Sequence, residues 1–263
     1  MALETALGLR RRGFFMPYRH AEATPRPPAA PGYPAVEALF RAHEGAFREI
    51  WELIEAEAGA LATLAGPAPE PRWDQDWFPR LDGAAAYALV KARPPRRIVE
   101  VGSGHSTRFM ARALRDAGAQ AQVVCLDPAP RASLPPGVEH RAELLAPAHA
   151  GLFAALEPGD VAFFDSSHLL HPHTDVDLIL NHMIPALRPG VRVHVHDVFL
   201  PDPYPADWGW RGYSEQCGLA PWLLAGGLRP LWSSRWAATR MRLAPSFAPP
   251  PRAPETSLWA VRA

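Results

Sequence analysis

Five residues stand where this chain could do chemistry: Asp127, Asp165, Asp197, His168 and His196. Each of the three acids closes a short apolar run: VVCLD, VAFFD and VRVHVHD. Upstream, RRIVEVGSGHST (Arg96–Thr107) reads as a buried strand running straight into a Gly-Ser-Gly turn. Asp127 lies about 20 residues beyond that turn, the spacing at which a ribose-binding acid follows a nucleotide-binding glycine loop. Gly104 would let the backbone approach a ligand closely, and Asp127 could accept both hydroxyls of a ribose. Open parallel sheets bind ligands at the carboxyl ends of their strands, so the turn and the three acids should meet along one edge. The turn has no third glycine. That disfavours a dinucleotide pyrophosphate and favours a single nucleoside.

The far side of that edge is histidine-rich. In VRVHVHDVFLPDPYP a period of two puts His194 and His196 on one face, opposite Val193 and Val195. His194 lies deeper and is expected in the core, whereas His196 and Asp197 emerge at the strand end. With Asp165 and His168 they form a cluster with two uses. Asp165, His196 and Asp197 could ligate a divalent metal. Alternatively His168 or His196 could take a proton near neutral pH, oriented by Asp165 or Asp197. The residues leave both open, with His168, His196 and Asp197 as the catalytic candidates. Downstream, DPYPADWGWRGYSEQ concentrates aromatics in a loop-like stretch. Tyr204, Trp208, Arg211 and Tyr213 are expected to form a lid or acceptor wall, with Trp77 and Phe78 opposite. Arg211, Glu215 and Gln216 could meet polar acceptor groups, and His171 and His173 read as exposed loop residues.

Alternating elements must position these groups. Residues 1–34 mix aromatics with prolines and are irregular, although Phe14, Phe15 and Tyr18 suggest packing against the body near the site mouth. Val36, Phe40, Phe47, Ile50, Trp51 and Ile54 recur at helical spacing up to about Leu64, and a second helix is predicted over Leu81–Lys91. Strands follow at Arg97–Val101, Gln122–Leu126, Val138–Arg141, Val161–Phe164 and Val191–Val195. Helices are predicted at Ser106–Ala117, Pro147–Leu156, within Asp175–Leu187 and at Glu215–Leu224. Strand-like pieces at Leu231–Trp236 and Ala238–Met241 complete the set. Near-continuous apolar strands alternating with helices predict an α/β fold, its parallel sheet covered on both faces. The organisation reads as a helical N-terminal extension (1–92), a nucleoside-binding domain (93–245) and a proline-rich irregular tail (246–263).

Bulk properties narrow the classes. The 263 residues suffice for one full core, and 27 basic against 27 acidic residues leave no net field for nucleic acid or an anionic membrane. No apolar run approaches the ~18 residues of a spanning helix, so the expected compartment is the cytoplasm. Cys125 and Cys217 are expected as reduced thiols rather than a pair.

At this point the chain resembles the class I S-adenosylmethionine-dependent methyltransferases. It is most similar to a group carrying E-x-G-S-G-x-S-T, D-S-S-H and H-D-x-F-L-P motifs, here Glu100–Thr107, Asp165–His168 and His196–Pro201. The resemblance runs over about 70–241. It implies a Rossmann-like seven-stranded sheet whose last strand is antiparallel and reached through a hairpin, with S-adenosylmethionine across the first two strand ends. Glu100, Gly102, Ser103, Gly104 and Thr107 would then surround the methionine part and Asp127 would hold the ribose. Ala142 and Glu143 would lie near the adenine, and Asp165 would meet the amino group or a metal. The implied activity is O-methylation of a small or sugar-like acceptor, with no nucleic-acid or membrane partner and a homo-oligomer left open. Some related O-methyltransferases place acids at these strand ends around Mg²⁺, but His196 departs from that pattern. A metal-dependent hydrolase or hydroxylase built on Asp165, His168, His196 and Asp197 competes with this reading. So does a non-catalytic partner subunit.

Overall fold

A computed structural model describes residues 2–14, 16–24 and 31–263. Short helices α1 (Ala2–Ala6), α2 (Pro34–Ala42), α3 (Glu44–Ala56) and α4 (Ala58–Ala62) lead to α5 (Arg80–Ala92). The helical stretch expected up to Leu64 is therefore three pieces, broken where His43 and Glu57 take non-helical backbone angles. Its predicted stripe is the buried one: Val36, Phe40, Phe47, Ile50 and Ile54 all face the core. Phe14 packs on His171 with ring centroids 4.1 Å apart, away from the main cavity, and Tyr18 is exposed. Phe15 lies outside the described residues.

The central alternation is as expected. Strands β1 (Arg97–Val101), β2 (Gln122–Leu126), β3 (Glu139–Arg141), β4 (Val161–Phe164) and β5 (Arg192–Val195) pair in parallel. Between them run α6 (His105–Asp116), α7 (Ala150–Ala154), and α8 (Asp175–Leu178) continuing through a π turn into α9 (Ile184–Ala186). Then come α10 (Glu215–Leu224), β6 (Leu228–Ser233), α11 (Ser234–Thr239) and β7 (Leu258–Arg262). The seven strands lie in the order β3-β2-β1-β4-β5-β7-β6. The order reverses between β1 and β4, so right-handed crossovers put α6 on one face and α7 to α9 on the other. Among the described residues no helix is long and apolar enough to cross a membrane, and Cys125 and Cys217 are both free thiols.

The C-terminal end corrects two expectations. Residues 246–263 are not simply an irregular tail, because Leu258–Arg262 is β7, inserted antiparallel between β5 and β6. The prolines that dominate 249–254 stop short of it, and the terminal LWAVR contains the β-branched and aromatic residues a strand needs. The second change concerns Ala238–Met241, which is not strand. β6 ends at Ser233, whose hydroxyl accepts the Trp236 N–H and starts α11 instead. β6 and β7 are thus antiparallel neighbours joined by a long connection rather than a tight hairpin. Trp259 in β7 is fully buried against His194 and Phe163. Trp259→Ala should lower the unfolding free energy by roughly 3–5 kcal/mol in denaturant melts, as for a large core aromatic. A loss within about 0.5 kcal/mol would instead mark a dispensable surface tail.

Candidate active site

The sheet register builds the site. Val101 pairs with Leu126 and with Phe164, and Phe164 pairs with Val195. One residue further along each strand therefore gives a row: Asp127, Gly102, Asp165 and His196. Backbone bonds carry the ladder into that row. Gly102 N–H donates to Leu126 O (3.0 Å), Asp165 N–H to Val101 O (2.8 Å) and His196 N–H to Phe164 O (2.9 Å). Above the row opens a cavity of about 630 Å³.

The glycine turn is held from below and from the side. Glu100 is fully buried in β1 and accepts the hydroxyls of Ser106 (2.5 Å) and Thr107 (2.6 Å). Thr107 Oγ1 in turn accepts the Gly104 N–H at 3.0 Å. Asp127 accepts both the N–H (2.8 Å) and the hydroxyl (3.0 Å) of Ser103. Gly102 has φ +78°, and a Cβ there would stand 1.8 Å from the Asp165 carbonyl oxygen. Only glycine fits that approach of β1 to β4. Gly102, Ser103, Gly104, Asp127, Glu143 and Asp165 line the cavity as expected. Glu100 and Thr107 do not line it: they lie beneath the turn and shape it. Ala142 is also absent from the lining, to which the nearby Leu144 and Leu145 contribute.

The far edge is a closed network of charge. His168 is buried, with Nδ1 2.8 Å from Glu215 Oε2 and Nε2 3.2 Å from Asp165 Oδ1 and 3.5 Å from Asp197 Oδ2. His196 is buried too, with Nε2 3.2 Å from Asp82 Oδ2 and Nδ1 3.6 Å from both Asp165 Oδ1 and Asp197 Oδ1. Burial opposes charge on His168, but hydrogen bonds to Asp165 and Glu215 and the nearby carboxylates hold it well above the usual imidazole range. His196 behaves alike: burial lowers it, and the charges of Asp165 and Asp197 with bonds to Asp165 and Asp82 raise it well above that range. For Asp165 desolvation raises the pKa, yet His196 and His168 win and hold it well below the carboxylate range. His168 and Asp197 both adopt left-handed backbone, φ 59° and 54°. Such strain persists only where surroundings impose it, and it clusters at functional positions.

This arrangement does not support the metal expectation. Among the described residues no group of three or more His, Cys, Asp or Glu side chains is arranged to hold a metal ion. Each ring nitrogen of His168 and His196 instead faces carboxylate oxygens at 2.8–3.6 Å, an arrangement of hydrogen-bonded ion pairs. His194 is the core histidine expected, stacked on Phe163 at 3.8 Å with Nε2 2.8 Å from Ser257 Oγ, and burial pushes it well below the usual range.

The walls agree in part. Trp77, Phe78, Trp208, Arg211 and Tyr213 line the cavity. Tyr204 does not; its hydroxyl accepts the Gln216 N–H (3.4 Å) and it faces a neighbouring aromatic cavity. Glu215 and Gln216 are also unavailable to an acceptor, since both are buried and bonded internally, to His168 and to Phe199 N–H. Sequence reasoning missed Asp82, which accepts the N–H groups of Thr256 (3.1 Å) and Ser257 (2.9 Å) besides meeting His196. Nothing local marks an acid inside α5 as part of a site. It also missed His105 and Ser166, cavity-lining residues with buried, unpartnered Nδ1 and Oγ. Burial, with Arg108 and Arg72 nearby, lowers His105 to about 4, so it is neutral.

Two stability measurements test this architecture. Gly102→Ala must part β1 from β4 and should cost roughly 3 kcal/mol or more; a neutral substitution would show that the close approach is unnecessary. Burial raises Glu100 to about 7 despite its hydroxyl donors. The folded state therefore binds a proton more tightly than the unfolded chain between pH 4.5 and 7, and stability falls as pH rises through that window. Glu100→Gln should remove on the order of 3 kcal/mol of this dependence, giving a flatter denaturant midpoint against pH. An unchanged slope would show that Glu100 ionises freely.

Residues 99–198 match a family model described as a methyltransferase domain. No curated protein matches the chain. Among solved structures it is similar to the SAH-bound Podospora anserina methyltransferase PaMTH1. The identity is 18%, over 95% of this chain and 99% of that one, with a TM-score of 0.40. That likeness is too distant to transfer anything from it. The family match spans β1 to the residues just past β5, and so contains the glycine turn, Asp127, Asp165, His168, His196 and Asp197. With that domain built on a β3-β2-β1-β4-β5-β7-β6 sheet, the chain is an S-adenosylmethionine-dependent methyltransferase.

Proposed function

We propose that the enzyme methylates a hydroxyl of a small or sugar-like acceptor, with His196 receiving the acceptor proton. The observation that carries this is the position of His196, in one row with Gly102 and Asp127 and facing the same cavity. The residues fit the donor: the Gly102–Gly104 turn and the Asp127 carboxylate at the end of β2 line one cavity, where among the described residues His105 Nδ1 and Ser166 Oγ are buried without a partner. When bound, S-adenosylmethionine supplies an electrophilic methyl on a sulfonium.

The chain's own groups do the rest. Asp127 would accept the ribose hydroxyls, and Asp165 would meet the amino group. Asp82 holds the Nε2–H of His196, which leaves Nδ1 toward Asp165, Asp197 and the cavity. A neutral His196 in that tautomer takes the acceptor proton at Nδ1, and the resulting imidazolium is stabilised by Asp165 and Asp197. His168 acts differently. With both nitrogens on carboxylates it is a positioning residue that holds Asp165, Asp197 and Glu215 together. Holding the acceptor oxygen in line with the methyl supplies much of the remaining rate effect.

Calorimetry with S-adenosylmethionine and S-adenosylhomocysteine, followed by an acceptor screen read by product mass, tests this directly. Because the carboxylates hold the His196 proton, activity should rise with pH along a limb lying above the ordinary imidazole value of about 6.5. His196→Ala should retain S-adenosylhomocysteine binding, lose roughly 10²–10⁴-fold in kcat and flatten that limb. Retained turnover with an unchanged pH profile would remove His196 from the reaction.

A further inference from the structure

We infer that Arg211 is the recognition group for an anionic oxyacid, a carboxylate or phosphate carried by the acceptor. This rests on the proposed methyl transfer and names the acceptor class it leaves open.

Several arginines elsewhere on the body are paired with carboxylates. Arg80 meets Glu255, Arg112 and Arg115 meet Glu70, and Arg235 and Arg240 meet Asp202. Arg211 lines the active-site cavity, yet among the described residues no carboxylate stands within ion-pair distance of it. Its guanidinium is held by aromatic faces instead: Trp208 at 4.0 Å, Trp210 at 5.4 Å and Tyr213 at 5.4 Å. Nη1 donates to Tyr213 Oη (3.1 Å), while Nε is buried with no acceptor. A guanidinium stacked this way keeps its charge and its planar fork of donors, the geometry that binds carboxylate or phosphate bidentately. A buried donor left unpaired costs free energy that an incoming acceptor oxygen recovers.

The rest of the cavity gives such a ligand one orientation. Asp165, Asp175 and Asp197 line the same cavity and would repel an anion. Tyr213 links the two ends: its hydroxyl meets Arg211 and its ring packs on His168 at 4.6 Å. An acceptor anchored at Arg211 by its anion therefore presents the opposite end, with its hydroxyl, toward His196. Trp77 and Trp208, the two indoles that line the cavity, supply apolar faces for a flat ring between those ends.

The test uses the protein loaded with S-adenosylhomocysteine, titrated by calorimetry with matched probes. 4-Hydroxybenzoate is compared with its methyl ester, and glucose 6-phosphate with glucose. Each anion preferred at least roughly tenfold over its neutral partner, with the preference lost in Arg211→Gln and weakened in Arg211→Lys, is the expected result. Which anion binds more tightly separates carboxylate from phosphate recognition. Equal binding of charged and neutral probes, no binding of either anion, or a preference that survives both substitutions would overturn the assignment. S-adenosylhomocysteine affinity should be unchanged in both variants, which also verifies that they fold. An anion preference in a protein that does not bind S-adenosylhomocysteine would instead sink the methyl-transfer reading and leave the anion site standing.

Discussion

The glycine-turn half of this site depends on one buried carboxyl group. Glu100 sits inside the sheet and collects the hydroxyls of Ser106 and Thr107 from the first turn of α6, and Thr107 then receives the Gly104 N–H. The start of the helix is thereby tied to the strand that precedes it, and the intervening Gly-Ser-Gly turn has one shape. Burial makes ionisation of Glu100 costly, and its hydroxyl donors recover only part of that cost. Buried polar groups of this kind specify a unique arrangement when every member is bonded.

The histidine-rich half uses the opposite device. There the charges are numerous, and each imidazole is matched by carboxylates from separate elements: Asp82 in α5, Glu215 in α10, and Asp165 and Asp197 just past β4 and β5. The network joins the N-terminal helices, the sheet and the segment before β7, because Asp82 also holds the backbone of Thr256 and Ser257. Substitution of either histidine would leave carboxylates buried without partners, which is more damaging than the net worth of the pair. The residues proposed for the chemistry are thus also ones the fold rests on, so a useful variant must be checked for cofactor binding as well as turnover.

Legibility followed the range of each interaction. The strands β1, β2 and β4, helix α10, and the lining role of Gly102, Asp127 and Asp165 were readable because local apolar runs and strand-end acids report them. Asp197 and His196 were readable from the two-residue period of β5. Asp82 was not, since an acid in a helix looks the same whether it faces solvent or a histidine more than a hundred residues away. β7 was missed for a similar reason: its five residues follow a proline-rich stretch, and only pairing with β5 and β6 makes them central.

The amino-acid sequence by itself determined the α/β alternation, the glycine turn after β1 and the order of acids along the sheet edge, because these depend on near neighbours. The tertiary structure decided what those acids do. Folding brought carboxylates onto both ring nitrogens of His168 and His196, and so made a network of buried ion pairs from residues whose spacing alone suited a metal or a base equally. It also left Arg211 stacked on aromatic rings without a carboxylate, a fact no spacing could reveal. Charge pairing is a matter of distance in space, and the residues that meet here come from opposite ends of the chain.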